Sequence, residues 1–261
     1  MARDVIEPTT EQILAFCADD PVERVFLEDV ARRGHARFVG IAGDDGALTA
    51  LCHLGTNVVP SGRGCGAFAE QAAKVGPRML IGESGAVTDL WDAGRRRFPR
   101  PREDRPGQPV YLIEDAPEPG GSGLRAATSA DLDLLVPACA ASHLEVRGVD
   151  PLKRAPNRFR WRTRTQVEDG RSWLWREGDE IRFKAEASAW TPSAVQLQQV
   201  WVDPPARRRG YAARGLRDLV RLLLESTPAV CLFVRAENAA AIGLYESLGM
   251  RHVLDYRSVL L

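Results

Sequence analysis

Apolar positions recur at helical spacing most clearly late in the chain. Across residues 210–226, Leu216, Leu219, Val220, Leu223 and Leu224 fall on one side of a helix, and Pro228 lies just beyond its end. Residues 195–202 before it read as a strand, and the apolar run 229–234 after it reads as a buried one. Asn238 is placed to cap a following helix, which Gly249 stops. Upstream, residues 124–128 predict a short strand, and Ser129 a cap for a helix with Leu132, Leu135 and Val136 on one face. A second helix is expected near residues 157–167, then strands near 172–176 and 180–190 about a turn at Gly178. Residues 115–123, DAPEPGGSG, support neither helix nor sheet. They divide the chain into residues 1–114, a linker over 115–123, and residues 124–261.

The first part carries a fainter version of the same order. Residues 51–59 read as a strand, followed by the glycine-rich turn from Ser61 to Gly66 and an amphipathic helix to Lys74. A strand at 78–81, a helix from Ser84 to about Asp92 and a last strand at 110–113 complete it. Overlaying the two parts puts Ser61, Gly64 and Gly66 at the places of Arg207, Gly210 and Ala212. Ser84 and Trp91 have the same separation as Asn238 and Tyr245. This pattern is that of an internal repeat whose first copy has decayed; a glycine-rich turn with unrelated packing is the alternative.

Composition adds limits. A chain of 261 residues, 44% hydrophobic and 27% charged, suits two globular domains with cores of their own. No apolar stretch approaches a membrane span, and MARDVIEPTT lacks a signal pattern, so the expected location is the cytoplasm, with no membrane partner. Cys17, Cys52, Cys65, Cys139 and Cys231 stand singly, which argues against a disulfide framework and against a metal. Formal charge is zero, yet residues 1–120 hold 14 basic and 19 acidic side chains while residues 121–261 hold 21 and 16. The basic half is the one with the more chemical segment.

That segment is VWVDPPARRRGYAARGL, a strand that stops at Pro204, an arginine-rich loop, and a helix opening at Gly210. Amino-terminal amides of a helix lack intrahelical acceptors and carry partial positive charge, and glycine lets backbone approach closely. The segment therefore reads as a pyrophosphate cradle. Arg207, Gly210 and Ala212 fit the pattern Q/R-x-x-G-x-G/A, which resembles the coenzyme motif of the GNAT N-acetyltransferases. It differs from the dinucleotide and P-loop fingerprints. Asn238, Tyr245 and the ending LGMRHVLDYRSVLL resemble further parts of that family. The whole arrangement resembles tandem GNAT proteins of actinobacteria with a divergent amino-terminal domain.

The resemblance implies an α/β fold of two mixed sheets flanked by helices, the first degenerate. It also implies an acetyl-CoA-dependent N-acetyltransferase. Val200, Trp201 and Val202 would present backbone amides to the pantetheine and thioester carbonyl where the central strands part. Arg207, Arg208, Arg209, Gly210, Tyr211, Ala212 and Ala213 would hold the pyrophosphate, Asn238 would contact the coenzyme, and Tyr245 would be the acid for the departing thiolate. The central strand carries Gln196, Gln198 and Gln199 where many members have a glutamate, and glutamine accepts no proton. Glu186 is then the best candidate base, with Glu145 and His143 behind it. A water chain and an amine of low pKa stay open. Cys231, in the apolar run AVCLFV, reads as an inert thiol, so the expected chemistry is direct attack by a primary amine in a ternary complex.

Two rival readings remain. Arginine runs at 95–102 and 157–164, the latter with Phe159 and Trp161, are of the kind that stacks nucleic acid, but zero net charge leaves no large basic footprint. A non-catalytic acyl-CoA-binding regulatory or scaffold protein would explain the missing strand carboxylate. Tyr245 argues against it.

Overall fold

The computed structural model describes residues 4–261. Its first half runs β1 (Val5–Ile6), α1 (Thr10–Ala18), α2 (Val25–Arg33), β2 (Phe38–Ala42), β3 (Leu48–Leu54), β4 (Asn57–Gly62), α3 (Ala69–Lys74), β5 (Met79–Glu83), α4 (Ser84–Gly94) and β6 (Glu103–Ile113). The second runs β7 (Arg125–Ala126), α5 (Leu132–Arg147), α6 (Pro151–Arg154), α7 (Pro156–Glu168), β8 (Ser172–Glu177), β9 (Glu180–Trp190), β10 (Val195–Val202), α8 (Tyr211–Leu224), β11 (Val230–Phe233), α9 (Ala239–Ser247) and β12 (Arg251–Leu260).

Alternating burial along the strands sends apolar side chains to both faces of one twelve-stranded mixed sheet, ordered β1-β2-β3-β4-β5-β12-β6-β11-β10-β9-β8-β7. Clusters on one face join it to α1, α2, α5 and α7, and clusters on the other to α3, α4, α8 and α9. The order shows how the halves are joined. Strand β12, last in the chain, lies between β5 and β6, and β6 lies between β12 and β11. Each half thus lends its closing strand to the other, leaving no unpaired edge at the junction.

On α8, Leu216, Leu219, Val220 and Leu223 are buried, so the stripe read from the sequence is the face laid on the sheet. Gly215 permits that contact, because a Cβ there would lie 2.6 Å from the Phe183 ring. Gly215→Val should overpack this seam and cost roughly 1–3 kcal/mol. A thermal melt would register it as a lowered Tm; an unchanged Tm would mean the helix is not seated there.

Several boundaries differ from expectation for local reasons. Residues 51–59 are not one strand: the chain turns at Gly55-Thr56 and pairs β3 with β4 antiparallel. The last strand of the first half begins at Glu103 rather than 110, because β12 supplies a partner along its length. Thr128, not Ser129, caps the helical region, exchanging hydrogen bonds with Asp131 in a capping box. The helix leading to Lys74 shrinks to Ala69–Lys74 behind a 3-10 turn at Cys65–Phe68. Helix α4 does begin at Ser84 as expected, with Glu83 as its cap, accepting from the Gly85 and Ala86 amides.

The two halves nevertheless keep the same device. In each, two parallel strands pair through only two residues, Asn57 and Val58 with Met79 and Leu80, and Val195 and Gln196 with Val230 and Cys231. In each, a left-handed glycine precedes the following helical turn, Gly64 at φ +83° and Gly210 at φ +82°. They differ in what meets the helix start. In the first half α4 sits directly on it: Asp89 accepts the Gly66 amide at 3.0 Å, and a Cβ on Gly66 would be 3.0 Å from Ala93. Ser61 is buried and donates to Glu23 at 2.7 Å, while Trp91 stacks on Phe98. The chain's own carboxylate fills the position where an anion would go.

Candidate active site

The second half leaves the corresponding space open. Pairing of β10 with β11 ends at Gln196, so residues 197–202 have no ladder partner on that side. On the other side the register with β9 shifts between Gln198 and Trp201, where Gln199 adopts φ +55°. A left-handed non-glycine residue costs about 1–2 kcal/mol. Here it is held by Lys184, completely buried, whose Nζ donates to the Gln199 carbonyl at 3.3 Å, and by Ser142, which donates to its side-chain oxygen at 2.7 Å. The bulge turns β10 away from β11 and opens a cleft of about 460 Å³.

Val200, Trp201 and Val202 form one wall of this cleft, and Arg207, Arg208, Gly210, Tyr211, Ala212 and Ala213 another. The third is the start of α9, where Asn238, Ala240, Ala241, Leu244 and Tyr245 face it. Arg208 at φ +61° and Gly210 at φ +82° alternate hands along the loop, turning backbone amides toward one concavity, the geometry of an anion nest. No side chain caps α8, which leaves its first amides available to a ligand. Nothing lies within 4 Å of a Cβ built on Gly210, so φ rather than space selects glycine there.

Arg207 is arranged differently from expectation. Its Nε donates to the Val202 carbonyl at 3.1 Å, and one terminal nitrogen donates to both Glu145 oxygens at 2.7 Å. Glu145, near the end of α5, also lies 3.4 Å from the Trp201 indole nitrogen and lines the cleft. It is thus the counter-ion of the loop. Sequence spacing had no means of showing this, since the partners are 62 residues apart. Arg209 is exposed and is not part of the cleft wall.

Tyr245 is 6% exposed, with its ring 5.9 Å from that of Tyr111 on β6, a strand of the first half. Burial pushes its phenol up to about 12, so it is protonated throughout the physiological range. Asn238 caps α9, accepting from the Ala241 amide at 3.2 Å, and so fixes the helix that carries Tyr245.

Glu186 lies outside this cleft, on the face covered by α5 and α7. It lines a small enclosed space with Cys139, Phe159, Arg162, Thr163, Gln166 and Gln199. Burial alone would raise its carboxyl, but Lys184 at 3.4 Å and Arg162 at 3.8 Å hold it below the usual range. Gln198 donates to it at 3.4 Å, which ties it to the bulged strand. The Cys231 thiol is pushed up to about 12 by burial alone and has no activating partner among the described residues.

Comparison with known proteins gives likenesses to each half and to the whole chain. Residues 140–250 match the acetyltransferase (GNAT) family, and residues 36–135 match a family described as a domain of unknown function, DUF4081. The mycothiol acetyltransferase of Mycolicibacterium smegmatis is 26% identical over 272 residues, spanning 95% of this chain and 86% of that protein. Among solved structures, a GCN5-related N-acetyltransferase from Sphaerobacter thermophilus superposes with a TM-score of 0.59 at 19% identity, covering 98% of this chain and 94% of the other. A tandem GNAT protein from the clavulanic acid biosynthesis pathway gives 0.57 at 13% identity and covers 98% of both chains. These likenesses extend through both halves. At such identities they show the fold. Among the described residues no helix is long and apolar enough to cross a membrane.

Proposed function

The chain belongs to the GNAT acetyltransferases in their tandem form, and from that premise we propose that its second half moves an acetyl group from acetyl-CoA to a primary amine. In this reading residues 1–114 are a degenerate domain, 115–123 a linker and 124–261 the catalytic domain. The two domains exchange their closing strands, and the protein works in the cytoplasm. The observation that carries the reading is the meeting of three features in one cleft. These are an unpaired stretch of β10, an amide nest at the start of α8, and a protonated phenol on α9.

The nest residues, Arg208 to Ala213, suit two phosphates held by backbone N–H groups, with Arg208 adding charge and Arg207, matched by Glu145, bracing the loop. The Val200 to Val202 backbone would hold the pantetheine and steady negative charge on the thioester oxygen, a task worth about 3–4 kcal/mol per well-placed donor. Bound there, acetyl-CoA supplies the activated acyl group. Tyr245 then faces the sulfur. Full proton transfer from a phenol near 12 to a free thiolate, whose acid has a pKa of about 8.5, is uphill by roughly 5 kcal/mol. Tyr245 therefore acts as a hydrogen-bond donor that stabilises charge on sulfur as the bond breaks.

Glu186 is the base in this reading: an ionised carboxylate on the α5–α7 face, linked by Gln198 to the strand that holds the acyl group. Two flanking cations weaken it as a base, so the amine must lose its proton to a carboxylate already stabilised. Glu186→Gln should lower kcat/KM about a hundredfold while leaving coenzyme affinity unchanged. The variant also leaves Lys184 buried without its carboxylate, so it is compared only after circular dichroism has shown it folded. A pH–rate curve identical to that of the parent would assign the base elsewhere.

Calorimetric titration of acetyl-CoA, followed by detection of free CoA with a panel of amines, tests the function as a whole. Binding with amine-dependent CoA release supports it. Binding without release on any amine favours the non-catalytic acyl-CoA-binding protein, and absence of binding removes both.

A further inference from the structure

Three of the buried polar atoms that lack a hydrogen-bond partner lie together at the end of the sheet where β10 and β11 part. They are Arg105 Nε, Gln108 Oε1 and Arg235 Nε. Arg105 and Gln108 belong to β6, from the first half, and Arg235 follows β11, from the second. Phe233 pairs with Val110, and the Val234 amide donates to the Pro109 carbonyl, so one step further along the ladder Arg235 stands opposite Gln108. Between Tyr256 and Ser258 the β6–β12 register shifts by one residue, which brings Arg105 to the same face as Gln108. That face is the one covered by α2, α5 and α7, opposite α8 and α9.

The two guanidinium groups are neighbours. Both donate to the Val146 carbonyl in the last turn of α5, and both lie within ion-pair distance of the single carboxylate of Glu103. Glu145, the preceding residue of that turn, lines the coenzyme cleft. Glu145 is already matched with Arg207 and Asp104 with Arg257. Among the described residues the cluster keeps one unmatched positive charge, two free N–H donors and one free carbonyl acceptor. Gln108 is only 3% exposed. An unsatisfied amide oxygen at that depth costs about 1–3 kcal/mol, and the guanidinium edges add to this cost. The complementary ligand has two anionic oxygens and an N–H donor a few bonds away.

We propose that Arg105, Arg235 and Gln108 form the acceptor subsite, and that the acceptor is an amine bearing a carboxylate, as in an amino acid or an amino-terminal residue. The inference rests on the acetyltransferase reading above and deepens it. The carboxylate is held by Arg105 and Arg235, and Gln108 accepts from an N–H of the same molecule. The first half thereby acquires a role, since β6 delivers two of the three side chains across the exchanged strands.

Matched pairs of acceptors test it: phenylalanine against phenethylamine, cysteine against cysteamine, and ornithine against putrescine, each read as N-acetyl product by mass spectrometry. The carboxylate-bearing member should be favoured in kcat/KM by about tenfold or more. Arg105→Gln and Arg235→Gln should erase that preference through KM, with kcat and acetyl-CoA affinity kept. Glu103→Gln removes the competing carboxylate and should shift KM the opposite way, lowering it for the carboxylate-bearing member. A merely structural role for these arginines would not produce changes of opposite sign. Preference for the carboxylate-free member, turnover of neither member by protein that binds acetyl-CoA, or a preference that survives both arginine variants would overturn the proposal. Failure of the wild type to bind acetyl-CoA would instead overturn the acetyltransferase reading itself.

Discussion

Gly210→Glu should abolish acetyl-CoA binding, weakening it by about a hundredfold or more. Two effects act together. The residue sits at φ +82°, where an L side chain costs roughly 1–2 kcal/mol. It also places a carboxylate at the uncapped start of α8, where the amide nest is proposed to hold phosphate. That carboxylate can occupy the nest itself, as Asp89 does at Gly66 in the first half. A Cβ at Gly210 meets nothing within 4 Å, so the variant should fold with a nearly unchanged thermal melt. Gly210→Ala separates the contributions, since it carries the backbone strain without the charge and should weaken binding by only about tenfold. Titration calorimetry on the three proteins decides the matter. Equal affinity of wild type and the glutamate variant would move the coenzyme site away from this loop.

Tyr245→Phe should lower kcat by about a hundredfold and leave the acetyl-CoA dissociation constant unchanged. The ring keeps its packing against Tyr111, and only the hydroxyl is lost. The sign of the pH dependence follows from the buried phenol. The active form is protonated and its pKa lies near 12, so Tyr245 contributes no alkaline limb until the pH approaches that value. On the acid side the rate should fall as the amine takes up a proton, in both proteins alike. Stopped-flow or steady-state kinetics over pH 6–10 would check this. A variant with full activity, or a wild-type alkaline limb near pH 8 that vanishes in the variant, would contradict the role given to this phenol.

Much of the site was legible because it is local. The nest, its glycine and the helix behind it lie within about twenty consecutive residues, and helix capping at Asn238 is a short-range hydrogen bond. The glycine at 64 and the glycine at 210 were matched by spacing, and both adopt φ near +80°. Hydrophobic periodicity placed α8, β9 and β10 because burial on one face of a helix or sheet repeats along the chain. Residues 4–50 gave no such signal, and two helices and two strands formed there.

What stayed hidden depends on distant partners. A one-residue insertion on β10 has no signature in Gln198-Gln199; it exists because Lys184 and Ser142 hold it. Whether a carboxylate is a base or a counter-ion depends on what surrounds it. Glu186 is ringed by Lys184 and Arg162, and Glu145 by Arg207. The exchange of β6 and β12 is set by competition between strand edges, which no run of residues encodes by itself. By itself the sequence determined the order of elements in the second half, the left-handed glycine that opens α8 and the cap at Asn238 of the helix bearing Tyr245, all of which rest on short-range backbone geometry and periodic burial. The tertiary structure alone decided which copy keeps an open cleft, which charges are matched, and which strand of the first half pairs with β11 of the second. Those outcomes depend on packing between segments that are separate in the chain, from Gly66 with Asp89 to Arg207 with Glu145.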